Sequence, residues 1–128
     1  MEILIVEDDA ARTEFFREVL AGHHLCFECS GTGAIEALRE QAYDLVFLDY
    51  DLTSPRVTGY DVAEAMAGTP NAQTPVLVHS MNISEARHIP PLLPRCRMCS
   101  FAELRERHAE GELLATVEEL TDRESLGR

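Results

Sequence analysis

The sequence predicts an α/β domain, a doubly wound parallel sheet of five strands in the order 2-1-3-4-5 with helices on both faces. Three observations carry that expectation. Short apolar runs alternate with longer amphipathic segments, the pattern of strand–helix units that build parallel sheets. The runs are continuous and rich in β-branched residues, as strands covered on both faces are. Acidic residues stand just past the carboxyl ends of the first and third runs, where open α/β sheets bind their ligands.

At 128 residues the chain is expected to form one domain over 1–128, with 121–128 as a polar, fraying tail. Hydrophobic residues make up 45% and charged residues 27%, a balance that supports a packed core and argues against disorder. The net charge of −12, from 11 basic and 23 acidic residues, argues against binding to nucleic acid or anionic membranes, which need clustered Lys and Arg. The start, MEILIVEDD, lacks the basic residues and longer apolar core of a secretory signal. No run approaches the roughly 20 apolar residues of a membrane helix. A cytoplasmic protein with reduced thiols is expected, without a linker to a second domain.

Ile3-Leu4-Ile5-Val6 is the first strand. A helix over about 10–21 follows, with Phe15, Phe16, Val19 and Leu20 as its apolar stripe. Asp8 or Asp9 can cap its start and Gly22 suits its end. A second strand covers 25–29, and a second helix covers 31–40 with Ile35, Ala37 and Leu38 facing inward. Leu45 to Leu48 form the third strand, ending at Asp49. A loop with Thr53, Ser54 and Pro55 leads to a third helix over about 59–67, and 75–79 is the fourth strand. Pro90, Pro91 and Pro94 restrict the fourth helix to about 84–88. A fifth strand over 96–100 precedes a last helix from Ala102, with Leu104, Leu113, Leu114, Val117 and Leu120 as apolar positions and Gly111 as a kink.

Glu7, Asp8 and Asp9 follow the first strand, and Asp49 and Asp51 follow the third. Those strands are expected to be neighbours, so the carboxylates converge. Closely packed carboxylates repel one another and call for a cation. An oxygen-rich, water-open site suits Mg²⁺, or Mn²⁺. A carboxylate beside such an ion can attack phosphorus to form an acyl phosphate. Asp9 taken alone is better read as a helix cap.

The strings ILIVEDD, YDLVFLDYDL and PVLVHS, with Gly59 between the last two, resemble the response-regulator receiver family over nearly the whole chain. That resemblance implies a flavodoxin-like fold with Glu7 and Asp8 as the acidic pair, Asp8 the more direct metal ligand. It implies Asp49 as phospho-acceptor, Asp51 as the residue whose backbone carbonyl ligates the metal, and Ser80 as the hydroxyl that senses the phosphoryl group. The function implied is a stand-alone phospho-acceptor domain in two-component phosphorelay signalling, not an enzyme. Its partners would be a histidine kinase or phosphotransfer protein and a downstream signalling protein, with homodimerisation left open. The strings LDYDL and HSMN (His79 to Asn82) are further similar to a divergent receiver branch proposed to process cyclic phosphates. On that likeness Asp49, Asp51, His79 and Asn82 would surround a metal-bound phosphate, with His79 as acid or base. Alternation along the strand favours another role: with Ser80 facing the crevice, His79 turns away as a buried residue satisfied by a neighbouring carbonyl or carboxylate.

Receivers end the fifth strand with Lys-Pro. Aligned on Phe101, this chain has Cys99 and Ser100 there, and Cys96 where a switch aromatic is usual. Arg97 shares the direction of Cys99 by alternation and is a candidate replacement cation, though not an equivalent one. These departures keep a phosphorylation-independent interaction module as an alternative. Cys26/Cys29 and Cys96/Cys99 form two C-x-x-C pairs, but strands two and five would lie about 19 Å apart at opposite sheet edges. Zinc–sulfur bonds of about 2.3 Å cannot span that distance, so the four cysteines are expected to be small buried hydrophobes.

Overall fold

Strands that are apolar on both faces have to be sandwiched, and the sheet is built that way. The computed structural model describes residues 1–52 and 56–109, together with 111, 113, 115 and 119. The strands are β1 (Glu2–Val6), β2 (His24–Glu28), β3 (Leu45–Leu48), β4 (Val76–Val78) and β5 (Cys96–Met98). They form one parallel sheet in the order β2-β1-β3-β4-β5. The helices are α1 (Ala10–Val19), α2 (Gly31–Glu40), α3 (Gly59–Met66), α4 (Ile83–Ala86) and α5 (Phe101–Ala109).

Alternation along each strand divides the core in two. Ile3, Ile5, Leu45, Phe47 and Leu77 face α1 and α5, where Phe16, Leu20 and Leu104 pack on them. Leu4, Val6, Val46, Leu48, Val76 and Val78 face the other way, against Ala34 and Leu38 of α2, Val62 and Met66 of α3, and Ala86 of α4. The fourth helix is a single turn, and Pro90–Leu92 adds a 3₁₀ turn with proline at its start. β4 and β5 stop at Val78 and Met98, short of the expected residues 79 and 100.

Helix ends follow local chemistry. Asp9 caps α1 by accepting from Arg12 N–H at 2.9 Å. Ser30 caps α2, and Thr58 with Asp61 forms a reciprocal capping box on α3. The cysteines are not uniformly buried: Cys99 is, Cys26 and Cys96 are half-buried, and Cys29 is exposed because it lies one residue past the end of edge strand β2. Thr53, Ser54 and Pro55, the apolar positions Leu114, Val117 and Leu120, and the tail 121–128 lie outside the described residues.

The connection before β4 is tied to the rest by Asn71, which is fully buried. Its Oδ1 accepts from the Tyr43 N–H at 2.7 Å, and its Nδ2 donates to the carbonyls of Leu38 and Gln41, both at 2.8 Å. One side chain thus closes the end of α2 and sets the start of β3. Asn71→Ala strands two buried backbone groups and a third that is part-buried, so it is expected to lower the unfolding free energy by about 3 kcal/mol. Urea denaturation measures this, and a loss below about 1 kcal/mol would show that water replaces those bonds.

Candidate functional site

The register that aligns the core also aligns the charges. Ile5, Phe47 and Leu77 are paired across β1, β3 and β4. Two residues further along each strand, on the same face, come Glu7, Asp49 and His79, and β5 adds Cys99. The backbone ladder continues through this row. Asp49 N–H donates to the Val6 carbonyl at 3.1 Å, His79 N–H to Leu48 at 3.1 Å, and Cys99 N–H to Val78 at 2.8 Å. Donor atoms of Glu7, Asp49 and His79 all lie within 4.8 Å of one another, and all three residues are buried.

Glu7 is well satisfied. Its Oε2 accepts from the backbone N–H groups of Asp8 (2.9 Å) and Asp9 (3.0 Å). Its Oε1 accepts from His79 Nε2 at 2.9 Å and lies 3.1 Å from Arg12 Nε. Burial disfavours its charge, yet His79, the Asp9 amide and Arg12 outweigh that and hold the carboxyl below its ordinary range. Asp49 is not satisfied. It is 1% exposed, and its Oδ1 has no hydrogen-bond partner. Burial, reinforced by the negative charge of Glu7, pushes its carboxyl up to about 6, against the weaker influence of His79, Ser80 and Arg12. Two neighbouring carboxyls are therefore driven in opposite directions, a recurrent feature of functional sites.

The cation in the cluster comes from α1, not from β5. Arg12 Nη2 lies 3.9 Å from Asp49 Oδ2, with the guanidinium 5.8 Å from the centre of the Phe101 ring. Sequence reasoning passed over Arg12. The signal was its position in the first turn of a helix capped by Asp9, beside the carboxyl end of β1. Arg97 points instead to Glu119 at 3.1 Å, on the exposed side. Cys99 is a buried thiol pushed up to about 12 by burial, so it remains neutral.

The expectation that His79 turns away from the carboxylates is corrected. β4 ends at Val78, and His79 continues the Leu77 face, so its ring lies over Phe16 and Phe47 (centroids 5.0 and 6.4 Å away) with Nε2 on Glu7. Its partner is nevertheless a carboxylate, as the buried-residue reading expects. Ser80 is buried, and its hydroxyl oxygen accepts from the Asn82 N–H at 3.0 Å. Asn82 precedes α4. Asp8 and Asp51, one residue past Glu7 and two past Asp49, are exposed. Gly59 fixes the loop behind Asp49: its N–H donates to Tyr50 O at 2.9 Å, and a Cβ there would sit 2.2 Å from the Asp49 carbonyl oxygen. An open cleft of about 590 Å³ lies nearby, lined by Tyr50, Thr58, Tyr60, Asp61, Glu85 and His88, but its walls do not include the charged cluster.

A family model for a cyclic-phosphate processing receiver domain matches residues 3–95. Among solved structures the chain is similar to the receiver domain of a sensor histidine kinase from Pseudomonas aeruginosa PAO1, described with a magnesium ion coordinated in the active-site cleft. Identity is 19%, coverage 94% and 96% of the two chains, and TM-score 0.76. A response regulator receiver protein from Sinorhizobium medicae is 23% identical over 96% and 95%, with TM-score 0.77. The Mn²⁺-bound response regulator Rcp1 is 24% identical over 93% and 90%, with TM-score 0.68. At these identities the likeness is one of fold. No curated protein matches the chain. No described helix is long and apolar enough to cross a membrane.

Ionised Asp49 is a stability cost at neutral pH. Its folded value of about 6 lies above the ordinary 3.8. The cost is full above about pH 6, fades as pH falls through 6, and is gone below about 4. Asp49→Asn in chelator-treated protein is therefore expected to gain stability at pH 7, on the order of 2–3 kcal/mol. The gain should shrink towards zero at pH 4, as urea midpoints at the two pH values would report. Equal stability at pH 7 would mean that Arg12 already cancels the burial cost.

Proposed function

The chain belongs to the cyclic-phosphate processing receiver family, and we propose that it binds a divalent cation at its acidic cluster and accepts a phosphoryl group on Asp49. The observation that carries this is the state of Asp49: a carboxyl at the end of β3, almost fully buried, with one oxygen lacking a partner and a second carboxylate beside it. Such an arrangement fits a hard cation. Glu7, Asp49 and the exposed Asp8 would hold it, with the Asp51 carbonyl as a further oxygen donor. Mg²⁺ or Mn²⁺ bound there supplies neutralisation of carboxylate and phosphoryl charge.

The protein's own groups have separable roles. An Asp49 oxygen attacks phosphorus, the bond from phosphorus to the donor's leaving atom breaks, and that atom keeps the electron pair. Ser80, buried one residue beyond His79, offers a hydroxyl to a phosphoryl oxygen. Arg12 brings to the pocket the positive charge that β5 does not direct there, which weakens the case for a phosphorylation-independent module. The donor would be a histidine kinase, a phosphotransfer protein or a small acyl phosphate, with a downstream signalling protein as the recipient of the change, all in the cytoplasm.

A second reading has one observation in its favour, the cyclic-phosphate description of the matching family. In it, the cluster binds or opens a cyclic phosphate. The geometry favours His79 as a positioner of Glu7 over a proton donor, because the ring is fully buried and Nε2 is committed to Glu7.

Acetyl phosphate or beryllofluoride with Mg²⁺ tests the first reading. The wild type should show a phosphoryl mass increment or a beryllofluoride-dependent spectral change, and Asp49→Ala should show neither. A wild type as inert as Asp49→Ala would sink it. Arg12→Gln is expected to slow phosphorylation at least about tenfold. Turnover of cyclic nucleotides with Mg²⁺ or Mn²⁺, lost in Asp49→Ala, would move the assignment to the second reading.

A further inference from the structure

The donor set at the end of the sheet is not purely oxygen. Glu7, Asp49 and His79 bring one donor atom each to within 4.8 Å of one another. Two ligands about 2.1 Å from a common ion are separated by roughly 3 to 4 Å, so the cluster is already near coordination size. Two independent observations point to a ligand. Asp49 Oδ1 and His79 Nδ1 both lack hydrogen-bond partners, although their residues are only 1% and 0% exposed. A buried polar atom without a partner is costly, and native structures seldom retain one without a use for it.

The imidazole is held firmly. Its ring lies against Phe16 and Phe47, and its backbone N–H is fixed to Leu48 O at 3.1 Å. The aromatic packing leaves the ring little rotational freedom, and Nε2 donates to the Glu7 carboxylate, as the second nitrogen of a metal-bound histidine does, which leaves Nδ1 as the nitrogen for an ion. The register explains why it stands there. It is the β4 member of the row that places Glu7 on β1 and Asp49 on β3. Arg12 is the side chain that covers this row, and at 22% side-chain exposure it has a route to solvent that the three buried groups lack.

We propose that His79, through Nδ1, is a direct nitrogen ligand of the divalent ion in this cluster, so that the site takes first-row transition ions, Mn²⁺ among them, in preference to Mg²⁺. This rests on the metal-binding half of the function proposed above. The chemical ground is the donor type: imidazole suits first-row transition ions such as Fe²⁺, Ni²⁺ and Zn²⁺, and a nitrogen donor favours any of the series, Mn²⁺ included, over Mg²⁺, which keeps to carboxylate and water oxygens.

Pulsed electron paramagnetic resonance of Mn²⁺ bound to the wild-type protein tests the proposal without any variant. The expected result is a nitrogen hyperfine coupling of the size given by a directly bonded imidazole. In His79→Gln that coupling disappears, and the ratio of Mn²⁺ to Mg²⁺ affinity, measured by titration calorimetry, falls about tenfold or more. Mn²⁺ bound tightly by the wild type without a bonded nitrogen would overturn the role given to His79 and leave the metal reading standing. No Mn²⁺ or Mg²⁺ binding by the wild type would overturn both. Should His79→Gln fail to fold, the wild-type spectrum still decides the matter.

Discussion

Glu7 and Asp49 stand side by side at the carboxyl edge of the sheet, both nearly out of water, and much of the surrounding structure answers their repulsion. Two like charges about 4 Å apart cost roughly 4 kcal/mol at the effective dielectric typical of proteins. The fold meets that cost unequally. Two backbone amides, an imidazole and a guanidinium are directed at Glu7. Asp49 receives the Ser80 hydroxyl and the far end of the guanidinium, and keeps one oxygen without a partner. The first carboxylate is largely satisfied and the second is left with an open oxygen. That inequality, more than the number of acids, gives the pocket a direction.

The stiffness behind the pocket comes from the two-sided core. Phe16 is fully buried and touches both Phe47 and His79 (centroids 4.8 and 5.0 Å away). One α1 residue therefore braces the sheet and the imidazole together. On the opposite face Asn71 and the tight approach of Gly59 to Asp49 set the loops on either side of α3. Helices on both faces hold the carboxyl ends of three strands level, and level ends are what bring Glu7, Asp49 and His79 into one row.

Much of this was legible in the residues, because continuous apolar runs and helix caps are local signals. β3 and α2 fall where periodicity puts them, and the strand order follows from the doubly wound pattern. The short outer strands were less legible: three residues of β4 and three of β5 leave little periodicity to fix an end. Glu7 and Asp49 could be read from position alone. The placement of His79 was misjudged because alternation was counted from Ser80. Counting by twos from Ile5, Phe47 and Leu77 gives Glu7, Asp49 and His79 on one face. Arg12 was hidden for a different reason, since a charged residue in the first turn of an amphipathic helix looks like any solvated position.

The origin of that guanidinium has a consequence for how such a chain can diverge. Where the pocket's positive charge is carried by β5, that edge strand is bound to the chemistry and its sequence is constrained. Here the charge is on α1, whose start is fixed by Asp9 and whose body is packed by Phe16. β5 then brings no cation to the pocket: in the run Cys96-Arg97-Met98-Cys99, Arg97 pairs with Glu119 and the residue in the pocket row is the thiol Cys99. The pocket's charge therefore depends on the first turn of α1, where small changes in helix position would alter it.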